Sequence, residues 1–145
     1  HSGAWGPRPE QIATAEFLES RSEIEAYHAE MKAGVRRRLD LLYEGMEALR
    51  HDGFPVQVIP PMGAIYLSVR FAVNGARTRD GETVTSNEDV RRYLLRRAGV
   101  AVVPFEAFGT SGEAGWFRMS VGAISEAACR DLFPRLREAL RQLQG

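Results

Sequence analysis

Cysteine occurs once in this chain, at Cys129, and lysine once, at Lys32. A single cysteine excludes a disulfide framework within the chain and any cysteine-based zinc site, and it fits a reducing compartment. A single lysine, against eighteen arginines, leaves any reaction that needs a primary amine one candidate. Charge of one sign is not in excess: 19 basic and 19 acidic side chains give a formal net charge of zero. That balance argues against a general nucleic-acid binder, which needs a cationic surplus to displace counterions. No apolar run approaches the ~20 residues of a membrane span, and no signal-peptide pattern opens the chain. The histidines, His1, His28 and His51, are too scattered to suggest a metal site. A phosphate-binding Gly-rich loop with lysine, a G-x-S-x-G elbow and an H-E-x-x-H helix are all missing. The expectation from these absences is a soluble, cytoplasmic protein with no metal, nucleic-acid or membrane partner.

The residues present are those of a globular chain. It has 145 residues, 44% hydrophobic and 26% charged, and a chain of this size buries roughly two thirds of its unfolded surface. The chain opens on His1 without methionine, in a Gly-, Trp- and Pro-rich stretch that reads as a loop. A short helix is expected over 10–18, with Ile12, Ala15 and Phe17 or Leu18 as its apolar side. Ser20 and Glu23 then have the spacing of a capping box. Ile24, Tyr27, Met31, Val35, Leu39, Leu42, Met46 and Leu49 recur every three or four residues, which predicts one long helix stopping near Gly53. A coiled coil is the alternative for such a stripe.

Strands follow. Residues 56–59 alternate weakly. Over 64–71, Ile65, Leu67, Val69 and Phe71 share one face and Tyr66, Ser68 and Arg70 the other. Ser86, with Asp89 three residues on, starts a helix reaching about Arg97. Val100 to Val103 reads as a strand buried on both faces. Phe117, Met119 and Val121 then alternate with Trp116, Arg118 and Ser120. Ser125 caps a last helix, in which Pro134 predicts a kink or a fresh start. The order α-α-β-β-α-β-β-α predicts an α/β chain of the α+β kind, with a three- or four-stranded, mainly antiparallel sheet covered by helices.

Arg118 carries the chemistry. A mid-strand guanidinium cannot be buried without an anionic partner, and its planar fork suits a carboxylate through two parallel hydrogen bonds. An exposed edge-strand arginine would show the same pattern. If the strands bearing Tyr66, Ser68 and Arg70 and bearing Arg118 are neighbours with matching faces, they form one polar surface opposite the core. Cys129 lacks a partner histidine and reads as a small buried hydrophobe.

Four segments occur in a familiar order: Pro61-Met-Gly-Ala-Ile-Tyr-Leu67, Val103-Pro-Phe-Glu-Ala-Phe-Gly109, Phe117-Arg-Met-Ser-Val-Gly122 and the helix Pro134-Arg-Leu-Arg-Glu-Ala-Leu140. With the opening Gly3-Ala-Trp-Gly-Pro-Arg-Pro, they resemble the C-terminal region of the class I/II pyridoxal-phosphate aminotransferases of fold type I. The resemblance implies that Arg118 binds the substrate α-carboxylate, that Gly63 and Tyr66 lie near the small-domain hinge, and that Phe108 and Gly109 belong to a mobile loop that helps close the site. It implies residues 1–19 continuing from a large domain, an interdomain helix over 20–52 and a small domain over 53–145.

The family's Schiff-base lysine, its aspartate for the pyridine nitrogen and its phosphate-binding loop would all precede this segment. Lys32, on an amphipathic helix among Glu30, Ala33 and Arg36, does not replace that lysine. The implied parent is a homodimeric enzyme acting on amino acids and 2-oxo acids with pyridoxal 5'-phosphate. The chain by itself would be inactive, with no catalytic or cofactor-binding residue of its own. The competing expectation is an independent, non-catalytic α+β domain that binds a small anion or acts as a helix-mediated interaction module.

Overall fold

The computed structural model describes residues 6–110 and 115–143. The chain divides into two compact units, residues 1–34 and 35–145. In the first, α1 (Arg8–Leu18) carries Pro9 in its opening turn, where its fixed φ suits the helix and its missing N–H is not needed. None of its residues is buried, so the expected apolar side of Ile12, Phe17 and Leu18 faces outward. Helix α2 (Arg21–His51) starts in this unit. The reciprocal side-chain bonds expected of Ser20 and Glu23 do not form; backbone bonds to the Ser20 carbonyl start the helix instead.

The second unit holds the core. Its sheet comprises β1 (Val56–Val58), β2 (Tyr66–Phe71), β3 (Val103–Pro104) and β4 (Trp116–Ser120), in the order β1-β2-β4-β3 with every pair antiparallel. Leu67, Val69, Phe71, Phe117 and Met119 point to one face and are buried. Against them pack Leu39, Leu42, Met46 and Leu49 of α2, Val90 and Leu94 of α3 (Asn87–Ala98), and Leu132, Leu136 and Leu140 of α4 (Glu126–Arg141). Tyr66, Ser68, Arg70, Trp116, Arg118 and Ser120 fall on the opposite face, half-buried or exposed. The strict period of two thus separates an apolar face from a polar one.

Helix starts are well satisfied here. Ser86 and Asp89 form the full reciprocal capping box of α3, and Ser125 Oγ accepts from the Ala128 amide at the start of α4. Gly99 ends α3 in the left-handed conformation, at φ +65°. One expectation fails, and of the two outcomes expected at Pro134 the fresh helix start does not occur. Residues 100–103 are not a strand buried on both faces: only Val103 and Pro104 pair, at the sheet edge, with Val103 exposed. Pro134 does not divide the last helix, which runs from Glu126 to Arg141 with Pro134 on its exposed side, where an unpaired carbonyl can bond to water. Arg37 Nε donates to Glu126 at 2.7 Å and Arg38 Nε to the Val121 carbonyl at 3.1 Å, tying α2 to the start of α4 and to the residue after β4.

Candidate functional site around Arg118

Strand β4 lies between β2 and β3, so Arg118 has a neighbour on either side: Ser68 in register on β2 and Val103 on β3. The expected polar face of Tyr66, Ser68, Arg70 and Arg118 therefore forms. Each flanking strand also delivers an aromatic ring. Tyr66 pairs with Ser120, one diagonal step from Arg118, a separation that an aromatic side chain spans. Its ring centroid lies 4.1 Å from the Arg118 guanidinium carbon.

From the other flank, β3 runs into a short 3-10 turn, η1 (Phe105–Phe108), and the ring of Phe108 lies 4.0 Å from the same carbon. Gly109, at φ +85°, turns the chain away immediately after Phe108. Asn87 Nδ2 donates to the Glu106 carboxylate, which ties η1 to the first turn of α3. Phe105 supports Phe108 edge-on at 6.4 Å.

Cation–π contacts of this kind contribute about 0.5–2 kcal/mol each, more as water is excluded. They engage the guanidinium through its carbon and use none of its N–H donors. Arg118 makes no ion pair or hydrogen bond with any described residue. A half-buried cation thus rests against two aromatic rings, with no hydrogen-bond partner among the described residues. That geometry accepts a bidentate anion edge-on.

Nearby backbone adds a strained element. Ala64, not Gly63, takes the left-handed conformation, at φ +57°, in the turn leading to Tyr66. A Cβ on Gly63 would meet nothing within 4 Å, so nothing in its surroundings requires a glycine there.

Other candidates do not join this site. Lys32 is exposed on α2, in the first unit. His28 and His51 are exposed, and no group of metal-ligating side chains exists among the described residues. Cys129 is buried and burial pushes its thiol pKa up, which makes it inert. A surface cavity of about 250 Å³ lies elsewhere, lined by Thr78, Tyr93 and Arg97 among others. Residues 35–145 contain no lysine, so the unit that carries Arg118 does not fit a pyridoxal phosphate held as a Schiff base. No helix among them is long and apolar enough to cross a membrane.

The Phe108 contact was not visible in the sequence, since strand order decides it. The Asn87–Glu106 bond, across 19 positions, carries no sequence signal at all.

The family described as aminotransferase class I and II matches residues 1–136. The aspartate aminotransferase of Rhizobium meliloti (strain 1021) is 34% identical over 93% of this chain and 31% of its own length. A probable aspartate/prephenate aminotransferase of Rickettsia bellii (strain RML369-C) is 29% identical over 81% of this chain and 28% of its own length. The crystal structure of the Rhizobium meliloti aspartate aminotransferase superimposes with a TM-score of 0.65 at 32% identity, covering 96% of this chain and 29% of that one. The chain thus spans about three tenths of the length of these relatives.

Proposed function

This chain belongs to the class I and II aminotransferase family, and from that premise we propose that the whole protein moves an amino group between an amino acid and a 2-oxo acid. Arg118 holds the α-carboxylate of each substrate in turn. The observation that carries this reading is a half-buried guanidinium without a carboxylate partner among the described residues, its faces covered and its donors free. Two charge-assisted hydrogen bonds to one flat group fix distance and angle together, which a single point charge cannot do.

No chemical step is located on this chain. Pyridoxal 5'-phosphate and the lysine that anchors it belong to the remainder of the protein, which works as a cytoplasmic homodimer. Residues 1–19 continue from its large domain, 20–52 form the interdomain helix and 53–145 the small domain. L-aspartate is the first donor to test, because relatives carry that substrate in their names.

In the intact protein, Arg118→Lys is expected to lower kcat/KM for L-aspartate by about 10- to 100-fold or more, the loss of one or two charge-assisted hydrogen bonds. Steady-state kinetics check this, and unchanged kcat/KM removes the assigned role. The 145-residue chain alone, mixed with pyridoxal phosphate and reduced with borohydride, is expected to yield no stoichiometric adduct. Mass spectrometry locating such an adduct on Lys32 overturns that part.

A further inference from the structure

Tyr66 reaches Arg118 from β2 and Phe108 from the β3 side, and the guanidinium carbon lies over both rings, 4.1 and 4.0 Å from their centroids. An aromatic face is electron-rich: it attracts the cation and repels an anionic oxygen brought over it. Rings that approach from opposite flanking strands leave the donors of Arg118 to be reached within their own plane. A carboxylate is flat and sets both oxygens and its carbon in that plane. A sulfonate or phosphonate is tetrahedral. When two of its oxygens take the donors, the third oxygen and the carbon substituent stand out on opposite sides, each toward a ring.

From this juxtaposition we infer that Tyr66 and Phe108 are specificity-determining positioning residues, which make the Arg118 site select planar carboxylates over tetrahedral oxyanions. The inference rests on the carboxylate role proposed for Arg118 and adds discrimination by shape. The two rings are not equally rooted. Tyr66 belongs to a central stretch of sheet, whereas no residue of η1 is buried and η1 is tied to α3 through Asn87 and Glu106. Asn87 therefore acts through Phe108.

The test is an NMR titration of the ¹⁵N-labelled 145-residue chain with propionate and, separately, with ethanesulfonate. Ring currents from two faces place the Arg118 Nε–H resonance upfield of the other arginines, and its loss in Arg118→Lys identifies it. Propionate is expected to move that resonance saturably, with a dissociation constant at least about threefold below that of ethanesulfonate, as repulsion by the ring faces requires. Phe108→Leu and Tyr66→Leu bring the ratio toward unity, whereas Phe108→Tyr and Tyr66→Phe keep it. Asn87→Ala lowers it in the same direction as Phe108→Leu. The two rings are 48% and 40% exposed, for Phe108 and Tyr66 respectively, so the leucine variants leave the core untouched. Equal affinities for the two anions, or a ratio that neither leucine variant changes, overturns the inference and leaves a carboxylate site standing. Propionate that does not move Arg118 at all removes the carboxylate site, and the inference with it.

Discussion

At the scale of single residues, charge in this protein is placed by hydrogen bonds more than by burial. Arg118 lies against rings with no hydrogen-bond partner among the described residues, whereas Oδ2 of Asp89 accepts four hydrogen bonds. The Asp89 carboxylate accepts from Ser86 Oγ at 2.9 Å, from Thr85 Oγ1 at 3.0 Å and from the Thr85 and Ser86 amides at 3.2 Å. These bonds, that from Ser86 Oγ first, hold its pKa below the ordinary aspartate value of 3.8. The folded state therefore binds fewer protons here than the unfolded one, and stability rises with pH. The contribution is complete above the unfolded pKa and is lost as pH falls through the lower, folded value. Asp89→Asn is expected to flatten the acid limb of stability, read as the urea midpoint followed from about pH 2 to pH 7, around the ordinary carboxylate range. An acid limb identical to that of the wild type would show that the box at α3 carries none of it.

At the scale of elements, α2 and α4 approach more closely than most side chains allow. A Cβ on Gly45 would stand 2.1 Å from Cζ of Phe133, with two further ring atoms within 2.5 Å. Alanine favours a helix over glycine by about 1 kcal/mol, but displacing a packed ring costs about 1–3 kcal/mol. The overlap wins, so Gly45→Ala is expected to destabilise the protein, and Phe133→Leu in the same chain to recover part of the loss. Urea unfolding of the single and double variants measures both, and a more stable Gly45→Ala would mean that the ring moves without cost. The short edge strand β3 shows the same dependence on neighbours. Its sequence, apolar throughout, resembles a strand with both faces covered, yet η1 follows at once and turns Phe108 onto Arg118.

For the molecule as a whole, the buried hydrophobic core begins, among the described residues, at Leu39, with Val35 packed against it. Ile12, Phe17, Leu18, Tyr27 and Met31 of the first unit are exposed. Deleting residues 1–34 is therefore expected to leave the second unit folded, with a Tm within a few degrees of the whole chain, since little apolar area is lost from its core. Calorimetry of the 35–145 piece checks this, and a chain that no longer melts cooperatively would place the first unit inside the stability of the second. The inward-facing residues of β2, β4, α3 and α4 follow from period alone, because one strand or helix exposes its own faces at fixed intervals. So do the caps at Ser86 and Ser125, which act within one turn. Arg118 was legible as a cation in an apolar setting for the same local reason. The strand order β1-β2-β4-β3, the paired rings on Arg118 and the bond from Asn87 to Glu106 were not. They join residues far apart in the chain, and no local periodicity records which strand will lie beside which. Sequence by itself determined what each segment is and which of its sides is apolar; only the packing of those segments decided that the Arg118 guanidinium would lie over two rings with no hydrogen-bond partner among the described residues.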